Sequence, residues 1–338
     1  MDDTNKTCPL TLLWSKSTLE QRRFILYVCI IATFTHSFFW LQLIFCPAVR
    51  KKSMQWLYAY LITDILLLFR YFFVYIVHTT SDECIPNPAW ALFVCYFEAT
   101  VDNYLNTLEV YILLALNICR YIQIVHNKNA YVAHFRLLIC AHVIIYFIPI
   151  IMYLMQISIG WAEVSRFVGG SCDVSYNNIV IQILNLIIVF ALPIALNIVV
   201  IGCSIHHIHL TSRLNRTRLH VSAREKYHRS LVIQFFIFYI VWLLLWSPNL
   251  IVYQFTSGTS KLTTIASLLN FIEIAVDPII IAALDVRFQL LWKNLWFYMI
   301  NMLVSNPASQ RRIVPITLNR NTWSTIRVPP LSVITHGR

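Results

Sequence analysis

Apolar residues in this chain do not alternate with polar ones. They come in seven long blocks, roughly 24–46, 54–78, 90–118, 135–157, 178–205, 231–255 and 262–284, separated by short polar stretches. Each block is long enough for a helix crossing the ~30 Å hydrocarbon core of a bilayer, which takes about 20 residues. Lipid offers no water to backbone amides, so spanning segments are helices or closed barrels. Barrel strands would be shorter and show dyad alternation, and these blocks do neither. The pattern predicts an all-α membrane protein, a seven-transmembrane helix bundle. Beyond the last block, Asp285-Val286-Arg287-Phe288-Gln289-Leu290-Leu291-Trp292-Lys293 alternates charge and bulk at helical spacing. It predicts a short amphipathic eighth helix on the inner membrane surface.

Composition fits this picture. Of 338 residues 58% are hydrophobic and 12% charged, more apolar surface than a water-soluble core could hide. Charge then orients the chain. Twelve Lys and Arg follow blocks 1, 3 and 5, among them Arg50, Lys51, Arg120, Arg136, Arg213 and Lys226, whereas the connections after blocks 2, 4 and 6 hold only Arg166 and Lys261. By the positive-inside rule the N-terminus is extracellular and the C-terminus cytoplasmic. The expected organisation is an extracellular segment over 1–23, a bundle with its juxtamembrane helix over 24–298, and a cytoplasmic tail over 299–338. The net charge of +11 then forms a basic collar facing the lipid surface, and nucleic-acid binding is not expected. Asn5-Lys6-Thr7 is a glycosylation sequon on the outer side.

Nine cysteines divide by side. Cys29, Cys46, Cys119, Cys140 and Cys203 lie in helices or at their inner ends and are expected to be thiols. Cys8, Cys84, Cys95 and Cys172 fall on the oxidising side, where their even number suggests disulfides of three possible connectivities. Six of the fifteen acids lie inside blocks: Asp64, Glu98, Asp102, Glu109, Glu273 and Asp277. A charge in lipid is costly and marks a functional interior. Glu273 and Asp277, four apart, share a helix face, as do Asp102 and Glu109, seven apart. No HExxH, GxGD or Gly-x-Ser-x-Gly constellation is present, so an enzyme is not expected. An ion-coupled transporter could use the buried acids, but no internal repeat supports it.

Several short motifs occur in order. Arg120-Tyr121 ends block 3, Cys95 precedes Arg120 by 25 residues, Asp64 sits within block 2, and Pro193 within block 5. Trp246-Ser247-Pro248 lies in block 6, Asp277-Pro278 in block 7, and Phe288 follows. Together they resemble a divergent rhodopsin-like (class A) G-protein-coupled receptor over residues 24 to about 298. The departures are Cys119 in place of the acid before the arginine, His36 near the usual helix 1 asparagine, Ile201 and Ile281 for tyrosines, and His228 for the helix 6 acid. Block 7 has no lysine, which excludes a retinal Schiff base.

The resemblance implies a plasma-membrane receptor that binds an extracellular ligand and activates a heterotrimeric G protein through Arg120 and Tyr121. Arrestin and receptor kinases are further implied partners. It favours a Cys95–Cys172 disulfide and, more weakly, Cys8–Cys84. It implies a ligand pocket built from Asp102, Glu98, Asn185, Trp246, Asn249 and Tyr253, with Phe271 along its wall. Asp64, Glu109, Glu273 and Asp277 would converge where many relatives hold a sodium ion, the one possible cofactor, as an allosteric cation. A peptide ligand is favoured over a small cationic ligand, because block 5 offers Asn185, Leu186 and Val189 where amine receptors carry serines. Arg70 in block 2 could also neutralise Asp102 or Glu98 internally. The other readings are a biogenic amine receptor, a nonsignalling decoy and an ion-coupled membrane transporter. With no acid at 119 or 228, basal signalling is expected.

Overall fold

The computed structural model describes residues 12–46, 54–81, 88–125, 135–166, 170–215, 223–255, 261–285, 288–289, 292–293, 297 and 300, without the side chains of 135, 166, 211–231 and 253–255. It divides into two compact units, Met1–Gln289 and Leu290–Arg338. All long helices lie in the first.

Helix α1 spans Lys16–Phe45, and the Ser15 hydroxyl caps it by accepting the Thr18 N–H at 3.2 Å. It begins about two turns before the apolar block. The polar stretch Lys16–Arg23, read above as part of an extracellular segment, is therefore helical. Helix α2 is Gln55–Thr80, and α3 is Pro88–Val125, 38 residues long. The opening proline of α3 has no N–H to leave unbonded. Helix α4, Phe135–Ser158, ends where Gly160 takes φ +77°, and the N–H groups of Gly160 and Trp161 return to the carbonyls of Ile157 and Gln156 at 3.1 and 2.9 Å. That left-handed stop uses a residue without Cβ.

Helix α5 is composite: Ile179–Leu186, a π turn at Ile187–Ala191, then Leu192–Asn215. Helix α6, Ala223–Phe255, contains Pro248, and α7, Lys261–Leu284, contains Pro278. Seven described helices are thus long and apolar enough to cross a membrane.

Helix α3 is the axis of the bundle, packing on α2, α4 and α5. Of its most apolar membrane-length stretch 67% is buried, against 17% for α4. Helix α7 packs against α1 and α6. The outward faces expose Phe34, Phe69, Leu137, Ile198 and Leu244, an exterior suited to hydrocarbon rather than water.

One element departs from all-α. After α4, β1 (Ala162–Arg166) pairs antiparallel with β2 (Cys172–Tyr176), with Val164 opposite Val174. Those two valines pack on the Cys95–Cys172 disulfide and Ala99, so the hairpin is pinned to the top of α3. Within the expected eighth helix, Phe288 and Gln289 are helical and Phe288 is fully buried, stacked on Phe39 of α1 at 5.1 Å. Residues 286, 287, 290 and 291 lie outside the described residues, as does nearly all of the tail.

Proline at 278 removes the amide that would bond the Ile274 carbonyl. His36 of α1 supplies the substitute, its Nε2 lying 3.1 Å from that oxygen, and the Thr35 hydroxyl donates to the next carbonyl, Ala275, at 3.0 Å. The ring therefore carries its proton on Nε2.

Candidate functional site

At the hairpin end of the bundle an open cavity lies between α1, α2, α3, α6, α7 and β2. Small-molecule pockets are usually lined mainly by apolar side chains. This one is lined largely by polar groups, among them Arg22, Arg70, Asp102, Asp173, Asn249 and Asn270. The Asn249 and Asn270 side-chain oxygens are buried without a hydrogen-bond partner. The cavity thus presents acceptors on its α6–α7 side that a ligand's N–H or O–H groups could satisfy.

Several charged groups meet at this hairpin end. Arg70 contacts Asp102 at 2.9 Å and donates to the Glu98 backbone carbonyl at 2.6 Å. The Glu98 carboxylate lies 3.1 Å from His78 Nε2 and accepts the Cys172 N–H at 3.0 Å. Arg22 donates to Ser171 at 3.0 Å and lies over the Trp14 ring. Burial pushes the Asp173 carboxyl up to about 7, with Asp102 and Glu98 reinforcing the rise and the Val174 N–H opposing it. Asp102 thus already has a cationic partner within the chain, as expected for Arg70, which weakens its role as counter-ion to a ligand ammonium.

Not every expected pocket residue is present. Asn249, Asp102, Glu98 and Phe271 line the cavity. Asn185 instead turns to Gln156 of α4, exchanging hydrogen bonds at 2.7 and 3.4 Å. Trp246 is fully buried below the cavity; it donates to Asn106 at 3.2 Å and stacks on Trp242 at 4.7 Å. The Tyr253 side chain lies outside the described residues, as do Asn5, Cys8 and Cys84 and therefore the Cys8–Cys84 pairing. Cys95 and Cys172 are bonded, with Cα atoms 5.2 Å apart, and none of the five remaining described cysteines is in a disulfide.

Midway down the bundle, Asp64, Glu109, Glu273 and Asp277 are all buried and close enough to interact strongly. The Tyr60 hydroxyl, one turn before Asp64 on α2, contacts both Glu273 and Asp277. It can donate its proton to only one of them at a time, so at least one of these acids carries its own. Asp64 faces Glu109 and has His36 at 3.7 Å. The side-chain oxygens of Asp64 and Glu109 accept no hydrogen bond from a donor side chain or amide. Among the described residues no three His, Cys, Asp or Glu stand together as a metal-holding group. The unsatisfied oxygens of Asp64 and Glu109 nevertheless have the hard-donor chemistry a sodium ion takes.

At the opposite end, Arg120 is buried; it reaches Gln123 at 3.3 Å and lies 4.8 Å from the Phe235 ring centroid. A small cleft between α3, α5 and α6 is lined by Arg120, Asn117, Ile201 and Phe235, and Asn117 bonds Asn197 of α5 at 2.7 Å. Tyr121 beside it is half-buried. The His228 side chain lies outside the described residues.

Sequence reading missed Tyr60, His78, Arg22, Asp173 and the segment 12–15. Tyr60 was findable, standing four residues from Asp64 on one helix face. No protein-family model matches this chain, and no curated protein matches it.

Proposed function

We propose that this chain is a receptor of the rhodopsin-like kind. It binds a hydrophilic extracellular ligand, a peptide in preference to an amine, in the cavity beside Arg70 and Asn249, and activates a heterotrimeric G protein at the cleft around Arg120. In this reading it is a plasma-membrane protein with its N-terminus outside, and the helical turn at Phe288 begins an eighth helix along the inner leaflet. The observation that carries the reading is the polar column along α3. It runs from Glu98 and Asp102, both paired with α2, through Asn106, bonded to α6, and Glu109, ringed by acids of α2 and α7, to Asn117, bonded to α5, and Arg120, which lies against Phe235 of α6. A ligand at the cavity shifts the helix arrangement only by its differential affinity for two states, and such a column gives the shift a route.

Support for a peptide is chemical. A cavity rich in polar and charged groups, with two unsatisfied amide oxygens, suits an ammonium terminus or polar side chains, and the existing Arg70–Asp102 pair disfavours a simple amine. A sodium ion at Asp64 and Glu109 would stabilise one state by supplying the missing positive charge. The test is cyclic-AMP and calcium signalling in cells expressing wild type and Arg120→Ala. Basal signalling above mock-transfected cells that falls at least about fivefold in Arg120→Ala supports the proposal. A baseline equal to mock in both, with no response to pooled peptides, overturns it in favour of a decoy.

A further inference from the structure

The segment preceding α1 is seated in the bundle. Leu12 is fully buried against Ala91 and Val94 of α3, and Trp14, also buried, stacks on the His78 ring at 4.7 Å and 7° while lining the cavity. His78 joins this segment to the core: its Nδ1 contacts the Leu12 carbonyl, and its Nε2 lies 3.1 Å from Glu98.

Proton counting at His78 has one solution. The Leu12 carbonyl can only accept, so Nδ1 must donate. Across Nε2 stands a carboxyl oxygen that already accepts the Cys172 N–H at 3.0 Å. A neutral ring protonated on Nδ1 would turn a lone pair toward a carboxylate. The contact is favourable only with one further proton between Nε2 and Glu98, whichever atom holds it. Arg22 and Arg70 face Glu98 and Asp102 around this point, with Asp173 beside them. Tyr75 meets the edge of Trp14.

We infer that His78 and Glu98 form a proton-binding site that fastens residues 12–15 over the outer cavity, so that an acidic exterior closes this flap and an alkaline one frees it. At low pH the ring donates to Leu12 and Glu98 together. As pH rises the shared proton leaves, Nε2 and Glu98 repel, and the ring and the Leu12–Trp14 segment lose their seat. Only the identity of the side exposed to acid rests on the receptor reading; the latch itself needs neither ligand nor G protein.

The test is hydrogen–deuterium exchange of the full chain in phosphatidylcholine nanodiscs at about pH 5.5 and 8.5, on either side of neutrality, with times scaled for chemical exchange. Peptides covering residues 12–22 exchange at least about tenfold faster at the higher pH in wild type, while those from the core of α3 do not change. His78→Gln and Glu98→Gln each abolish the difference. Asp173→Asn retains it, which separates the latch from that neighbour's own titration. Equal exchange at both pH values in wild type, or a difference that survives in His78→Gln or in Glu98→Gln, overturns the inference.

Discussion

The hairpin end and the middle of the bundle both bury carboxyl groups, and they satisfy them in opposite ways. At the hairpin end Asp102 is paired with Arg70, and Glu98 with His78 and a backbone amide. Four acids in the middle share one phenol and an imidazole whose proton is committed to a backbone carbonyl. The first arrangement holds elements together, because removing either member strands a charge. The second is held in place by its surroundings and is relieved by anything that brings a proton or a cation. Along α3, acids with a basic or amide partner thus give way to acids without one.

Substitution should expose the contrast most sharply at Glu98. Glu98→Ala strands His78, the Cys172 amide and part of the field around Arg70, and should destabilise the fold by about 3–5 kcal/mol, read as the midpoint of heat inactivation in detergent. A change under about 1 kcal/mol would break the distinction. Next comes Tyr60→Phe, which leaves Glu273 and Asp277 without their hydroxyl donor and should cost about 1–3 kcal/mol. Asp64→Asn should be neutral, or stabilising by up to about 1 kcal/mol, because it removes a buried acid with no donor. It should also erase any gain in thermal stability that sodium chloride gives over choline chloride; a loss as large as that of Glu98→Ala would place Asp64 with the paired acids.

The smallest effect is at Asp173. Its folded value near 7 exceeds the ordinary 3.8, so the folded chain binds more protons than the unfolded chain between those values. Stability therefore falls as pH rises through that window. Asp173→Asn should flatten that slope in thermal melts taken from about pH 4 to 7; an unchanged slope would assign it to other groups.

The seven helices were legible because hydrocarbon imposes one rule on every span, and most ends fall within a few residues of the apolar blocks. The start of α1 was not, since Lys16–Arg23 carries no apolar period and is set by the Ser15 cap. The acid cluster followed from i, i+4 and i+7 spacings. Asn185 did not follow, because it precedes the π turn at 187–191. One extra residue there turns everything upstream by roughly 100° relative to an unbroken helix, away from the cavity and toward Gln156. The seat of Leu12 and Trp14 leaves no periodic trace in the sequence; it depends on a carbonyl meeting a histidine 66 residues away. The β-hairpin was hidden for a similar reason: two five-residue strands offer little alternation, and a disulfide fixes their position.

The bend at Pro278 has a mechanical consequence. Because α1 fills the bonding vacancy that proline opens in α7, those two helices are splinted at the joint itself. Flexing α7 there requires α1 to travel with it or let go, so the stiffness of the seventh helix is set partly by an imidazole near the middle of the first.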